Sequence, residues 1–296
     1  MALRQITASL LVALRTGFKT DFQRGIDKVE PTYLRFSTKV NSTTKIETYG
    51  WLGDFPRFRK WVGAKVIKRM KEKAYRLIND DYEVTRGIKK RDIEDDNLGL
   101  WGPQIEGWGE EAQALPDRLA YDALANGHQA ECYDGQNFFD DEHPMAGATA
   151  SNISAAGGSQ PWYLLVTGKS LKPILIQERE KPHFHMVTSM EDSRVFETGE
   201  YLAGGEARYG AGYTYWQLAY RSTQTLNAEN YEAAVAAIMA YTDDEGEPLE
   251  LRPDLLVVGR SNRVAAKRLF DAQLVDAGES NIYYKDVEYL VSQRLP

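Results

Sequence analysis

An α+β architecture is what the sequence predicts, and three observations point to it. One apolar stripe runs along a helix between 103 and 127. Short β-branched and aromatic runs between 162 and 216 are broken by Gly and Pro. From 225 onward, helical and buried-strand patterns alternate in a compact unit. In the stripe, Ile105, Trp108, Ala112, Leu115 and Leu119 recur at spacings of three and four, which places them on one helix face. Pro103 suits a first helical turn, where its missing N–H would be unpaired anyway. Gly127 suits a left-handed stop, and Pro116 is expected to kink the rod. Roughly 25 residues at about 1.5 Å each make it about 37 Å long, so it needs partners along its whole length.

The chain's 296 residues allow one large domain or two to three small ones, and 43% hydrophobic content is ordinary for a protein with a real core. No run of about 18 apolar residues exists, so nothing is expected to span a membrane. Ala8–Leu14 is briefly apolar without a basic start or a cleavage site, and reads as a short amphipathic helix rather than a signal peptide. The one cysteine, Cys132, excludes an internal disulfide framework and suits a reducing cytoplasm. Net charge is −7 but uneven: residues 1–91 carry 21 Lys+Arg against 9 Asp+Glu, and the remainder 15 against 34. Either the basic third binds nucleic acid, or many copies join, the basic part of one onto the acidic part of the next. Composition alone does not choose.

Residues 1–48 read as an arm with too little apolar surface to fold alone, with Phe18 and Phe22 one helical turn apart and Asn41–Thr44 as a polar linker. In residues 49–91, Trp51, Phe55, Phe58 and Trp61 are interleaved with Arg57, Arg59 and Lys60. Tyr75 and Leu77 then alternate into a turn at Asn79–Asp81, and Tyr82, Val84 and Ile88 alternate out of it, a hairpin signal. This segment has few residues for a core of its own, so its apolar face must be covered by single-stranded nucleic acid, by a neighbouring subunit, or by its own chain. Beyond the long helix, Cys132 with His143 resembles a nucleophile and base, and Asp140, Asp141, Glu142 and His143 resemble metal ligands. No metal signature fits these spacings, and a lone Cys is usually packed core. A turn at Asp134-Gly135 with two buried Phe and a solvated acidic loop is the better reading, so no catalytic, cofactor or metal residue is assigned.

Residues 144–160 are small and polar and read as a flexible loop. Trp162–Val166 and Ile174–Ile176 read as strands, and His183 and His185 share one face of another. Gly204 to Trp216 reads as a long twisted strand bent at its glycines, since no Gly-Lys-Ser/Thr follows to make a phosphate loop. In the last unit, Asn227 caps a helix running to Tyr241, Leu255–Gly259 is a buried strand, Ser261 caps a second helix through Phe270, and Tyr283–Val291 supplies closing strands.

Several separate motifs, in order along nearly the whole chain, resemble the Mu-like phage major head subunit family. They are Tyr49-Gly-Trp-Leu-Gly-Asp-Phe-Pro56, Trp61-Val-Gly63, Ile93-Glu-Asp-Asp-Asn-Leu-Gly99, Cys132-Tyr-Asp-Gly-Gln-Asn-Phe-Phe-Asp140 with Glu142-His-Pro144, Lys172-Pro173, Gln177-Glu-Arg179, and Gly210-Ala-Gly-Tyr213 with Trp216-Gln217. The resemblance implies a major capsid protein of the Hong Kong 97 phage-type fold. Its parts would be an N-terminal arm at 1–48, an extended loop at 49–91, a peripheral domain at 92–224 with a spine helix near 103–127, and an axial domain at 225–296. It implies no enzyme and no cofactor. It also implies self-assembly as hexamers and pentamers into an icosahedral head that encloses double-stranded DNA without reading its sequence. A scaffolding or maturation protease, a portal and cement proteins are the expected partners, with assembly in the host cytoplasm and no membrane. On that reading the inter-subunit contact falls to Trp51, Phe55, Arg57, Phe58, Arg59, Lys60, Trp61, Tyr75 and Tyr82. The competing function is a single-stranded nucleic-acid-binding module built on 55–61.

Overall fold

The computed structural model describes residues 7–50, 75–94, 99–189, 191–243, 245–274 and 278–296. In chain order its elements are α1 (Ala8–Lys28), β1 (Ser37–Asn41), β2 (Ile46–Tyr49), β3 (Tyr75–Ile78), β4 (Asp80–Lys89), α2 (Lys90–Glu94), α3 (Trp101–Asn126), β5 (His143–Met145), β6 (Ala148–Ala150), β7 (Ile153–Ser154), β8 (Trp162–Leu165), β9 (Ile174–Val187), α4 (Ser193–Thr198), β10 (Glu200–Tyr213), β11 (Ala219–Ser222), α5 (Ala228–Met239), β12 (Leu255–Gly259), α6 (Arg263–Phe270) and β13 (Glu288–Ser292). One sheet has the order β1-β9-β10-β4, with β1 parallel to β9 and β10 antiparallel to both neighbours. The other has the order β13-β12-β8-β11-β7. Two small ribbons, β2-β3 and β5-β6, complete the strands among the described residues.

Helix α3 is the expected rod, and it belongs to two cores. Its first half buries Ile105 with Phe18 and Phe22 of α1, Ile88 of β4, and Phe184, Met186, Tyr201 and Ala203 of the first sheet. Its second half buries Leu115, Ala120, Tyr121 and Leu124 in a larger core with Phe36, Phe138, Phe139 and both faces of β8 and β12. Each fully buried Leu or Ile contributes on the order of 1.5–3 kcal/mol, so both halves are anchored. The helix runs on through Pro116, which is buried. Gly127 is right-handed, not the expected left-handed stop (φ −59°). What the position requires is space, since a Cβ there would lie 2.8 Å from the Phe139 ring.

The arm folds onto this rod. Thr7 caps α1 by accepting from the Leu10 amide, and the helix is 21 residues long, well beyond the short segment read at its start. It crosses α3 backbone to backbone: a Cβ on Gly25 would overlap the Glu106 carbonyl, and one on Gly109 would overlap that of Phe22. Arg24 and Lys28 pair with Glu106 beside the crossing, a half-exposed set worth little by itself. The chain then turns over α3, where Asp117 accepts from the amides of Thr32 and Tyr33 at 3.2 and 2.7 Å.

Three further expectations differ from the structure. Residues 75–78 and 80–89 do not form a hairpin about Asn79. β3 pairs with β2 and β4 with β10, and Asn79 is a corner between two sheets. The Asn-Asp-Asp cluster marks a change of direction, but a local signal does not say which strands pair. Residues 144–160 are not a free loop: they supply β5, β6 and β7. A 3-10 turn at 260–262 precedes α6, and Asn262 rather than Ser261 stands at the cap, without a side-chain bond. The second sheet draws β7, β8 and β11 from 153–222 and β12 and β13 from 255–292. β8 and β12 are buried at every residue, so they show no alternation that would assign them to one sheet or the other.

Gly109→Ala is expected to push α1 off α3. Overpacking of this kind costs about 1–3 kcal/mol, read as a lower urea midpoint. An unchanged midpoint would mean the helices do not cross so closely.

Candidate functional site

Three places in the described structure gather chemistry: the root of residues 50–74, a groove beside α3, and the Cys132 cluster. At the root, Tyr49 of β2 pairs directly with Tyr75 of β3, so the segment between them leaves and returns at one point. Asn79 and Gln177, 4% and 0% exposed, sit beneath it. The Asn79 side-chain amide donates to Ser42 Oγ and to the Thr44 carbonyl, its Oδ1 accepts from Gln177 Nε2, and Gln177 Oε1 accepts from the Tyr49 hydroxyl at 2.6 Å. Tyr75 Oη accepts the Tyr213 amide. Burial pushes the Tyr49 and Tyr75 hydroxyls up to about 12, so both stay neutral. Glu47 closes the knot. The Thr43 amide, the Ser42 hydroxyl and the Thr44 amide all donate to it and hold its carboxyl down at about 2, against an ordinary 4.5.

The groove is an open cavity of about 120 Å³ between α3 and the edge of the first sheet. Phe22, Tyr82, Val84, Trp108 and Leu115 give it an apolar lining, and Glu83, Glu111 and Glu206 stand in its walls. Its one cation, Arg118, pairs with Glu111 at 2.7 Å. Of the residues expected at an inter-subunit contact, Tyr75 therefore lies at the root, bonded to its own chain, and Tyr82 lies in the groove wall. Trp51, Phe55, Arg57, Phe58, Arg59, Lys60 and Trp61 lie outside the described residues.

Cys132, Asp134 and His143 do meet, with ligand-type atoms within 4.8 Å of one another. The order of contacts is wrong for a nucleophile. Asp134 stands in the middle, accepting from the Cys132 thiol at 3.1 Å and sharing a hydrogen with His143 Nδ1 at 2.8 Å. An activated thiol needs the imidazole on the sulfur and a route for substrate. Here burial, then the neighbouring carboxylate, pushes the thiol well up. Burial also works to raise Asp134, but bonds from His143, Cys132 and the Gln136 amide outweigh it and hold that carboxyl low. The His143 ring is stacked on Trp216, centroids 4.1 Å apart. This arrangement pins the 131–137 turn to β5 and to the Trp216 turn that leads into β11. His183 and His185 meet edge to face at 4.4 Å, but belong to no metal-type group among the described residues.

Ser42, Asn79 and Gln177 were not singled out by sequence reasoning. Ser42 looked like linker and Asn79 like turn, and Gln177 stood only inside a motif. Nothing local marks Asn79 or Gln177 as buried when their side-chain partners are 35 to 128 positions away.

Two outcomes test this geometry. Glu47 is depressed when folded, so its bonds contribute fully above about pH 4.5 and are lost as pH falls through about 2. Protection of the Thr43 and Thr44 amides, taken relative to each amide's intrinsic exchange rate at the same pH, should fall as pH drops across that window and should not vary with pH in Glu47→Gln; unchanged wild-type protection would refute the knot. The native Cys132 thiol should resist alkylation that proceeds readily after unfolding, and fast labelling of the native chain would show it accessible.

Residues 11–295 match the family described as Mu-like prophage major head subunit gpT. The chain is similar to the major capsid protein of Escherichia phage Mu, 35% identical over 287 residues that cover 94% of each protein. Among solved structures it is similar to the procapsid of bacteriophage JBD30, with TM-score 0.86 and 41% identity over 98% of this chain and 100% of that one. The JBD30 capsid gives 0.81 and 31%, over 99% and 100%.

Proposed function

The chain belongs to the Mu-like prophage major head subunit family and is a major capsid protein of the Hong Kong 97 phage-type fold, and from that premise we propose how its copies join. Family members of this kind build phage shells, and this chain self-assembles into one. Hexamers and pentamers make up the icosahedral head around packaged double-stranded DNA. A maturation protease, a portal and cement proteins act on that shell from outside this chain, which itself carries out no catalysis. Residues 1–48 serve as its arm, 49–91 as its extended loop, 92–224 as its peripheral part and 225–296 as its axial part, the last two sharing the second sheet.

Trp51, Phe55, Phe58 and Trp61 are the apolar side of the contact between copies, and Arg57, Arg59 and Lys60 the charged side. The observation that carries this reading is charge complementarity. Residues 51–74 hold eight Lys+Arg against two Asp+Glu, while the groove beside α3 sets three carboxylates against one paired arginine. Tyr82 meets the neighbour from the groove wall, and Tyr75 holds the root. Each buried aromatic contributes on the order of 1.5–3 kcal/mol, and a closed shell repeats the contact at every subunit. Opposite charges set which surfaces meet more than how tightly.

The test is electron microscopy of particles made with the remaining head proteins present. Replacing Arg57, Arg59 and Lys60 together by Glu should leave a folded subunit and abolish shells. Normal shells from that variant would move the contact elsewhere on the molecule.

A further inference from the structure

We propose that Asn79 and Gln177 are positioning residues: their buried knot with Ser42 and Tyr49 aims residues 50–74 toward the neighbouring copy, so that shell geometry depends on it more than subunit folding does. This rests on the reading that copies join through residues 51–61.

The ribbon β2-β3 has four residue pairs. A ribbon of that size is marginal in water and takes its orientation from whatever it lies on. It lies on β10, and it lies flush because two residues there have no side chains. A Cβ on Gly210 would come within 2.5 Å of the Ile78 carbonyl, and one on Gly212 within 2.6 Å of Tyr75 Oη and 2.8 Å of Leu77 Cδ1. Apolar contact of this kind is non-directional and would let the ribbon swivel. Hydrogen bonds are directional, and the knot supplies them from three sides. Asn79 reaches the 42–44 turn that leads into β2. Gln177, on β9 of the first sheet, reaches Asn79 at 3.2 Å and Tyr49 at the far end of β2 at 2.6 Å. The Asn79 backbone amide also donates to the Lys45 carbonyl at 2.9 Å. Both side-chain hydrogens and the carbonyl of Asn79 are in use, so no rotated arrangement of the ribbon satisfies it equally well.

The ribbon's angle matters because its end pair, Tyr49 and Tyr75, is where residues 50–74 leave and rejoin the subunit, so a swivel there redirects both ends of that segment while leaving the subunit's own two cores in place.

Asn79→Ala and Gln177→Ala are compared with Tyr231→Phe, which removes one bond to Asp286 in the C-terminal part of the chain. All are produced alongside the remaining head proteins. The expected result is cooperative unfolding in all three, with the knot variants' midpoints lowered by the buried partners each leaves unpaired, normal shells from Tyr231→Phe, and at least a tenfold loss of shells or a broadened spread of particle diameters from the knot variants under conditions where they remain folded. If either knot variant fails to fold, Tyr49→Phe keeps the ring and removes only the hydroxyl bond to Gln177, and should broaden the diameter distribution. Shells of wild-type number and diameter from the folded knot variants, or from Tyr49→Phe, would overturn the proposal. Absence of shells from the wild-type chain would instead overturn the assembly reading on which it rests.

Discussion

One helix held in two cores is the constraint on which the rest of this subunit depends. The N-terminal half of α3 is fixed by Ile105 among the aromatics of α1 and the first sheet, and the C-terminal half by Leu115, Tyr121 and Leu124 among the residues that join both sheets. A rod anchored at both ends transmits position. The arm is set against it by the Gly25 and Gly109 notch and by Asp117, and the groove wall is set by Trp108 and Leu115. Moving the helix would disturb both cores at once, so the surfaces it carries are fixed relative to one another.

Polar groups do a different task from apolar ones in this molecule. The two cores supply burial without direction. Direction comes from a few buried polar side chains: Asn152, which donates to the carbonyls of Phe138 and Trp216; Asp134, between its near neighbours Cys132 and His143; and Asn79 with Gln177, 98 positions apart. An unpaired buried donor or acceptor costs about 1–3 kcal/mol, so each network admits one arrangement of the elements it joins. The Cys132 cluster shows why residue types alone do not make an active site. The three side chains meet, but the carboxylate separates thiol from imidazole.

The division of charge along the chain takes on meaning at this level. The excess of Lys and Arg lies in the first 91 residues and the excess of Asp and Glu in the rest. A chain whose two parts attract each other is suited to joining copies head to tail, the arrangement that closes into rings and shells.

The sequence by itself determined the long helix and its buried face, because Ile105 and Leu115 repeat at helical spacing and that period needs no partner to be read. It also determined the Asn227 cap, the glycine-bent strand through 213, and the family, because several motifs recur in order. Tertiary structure alone decided that Asn79 turns a corner rather than a hairpin, that β8 and β12 share a sheet across 90 residues, and that Gln177 is a buried partner of Asn79 and Tyr49. The physical reason is the same in each case. Periodicity and caps are set by neighbours within a turn or two, whereas strand pairing and the burial of a polar side chain are set by residues far along the chain, whose arrival no local pattern records.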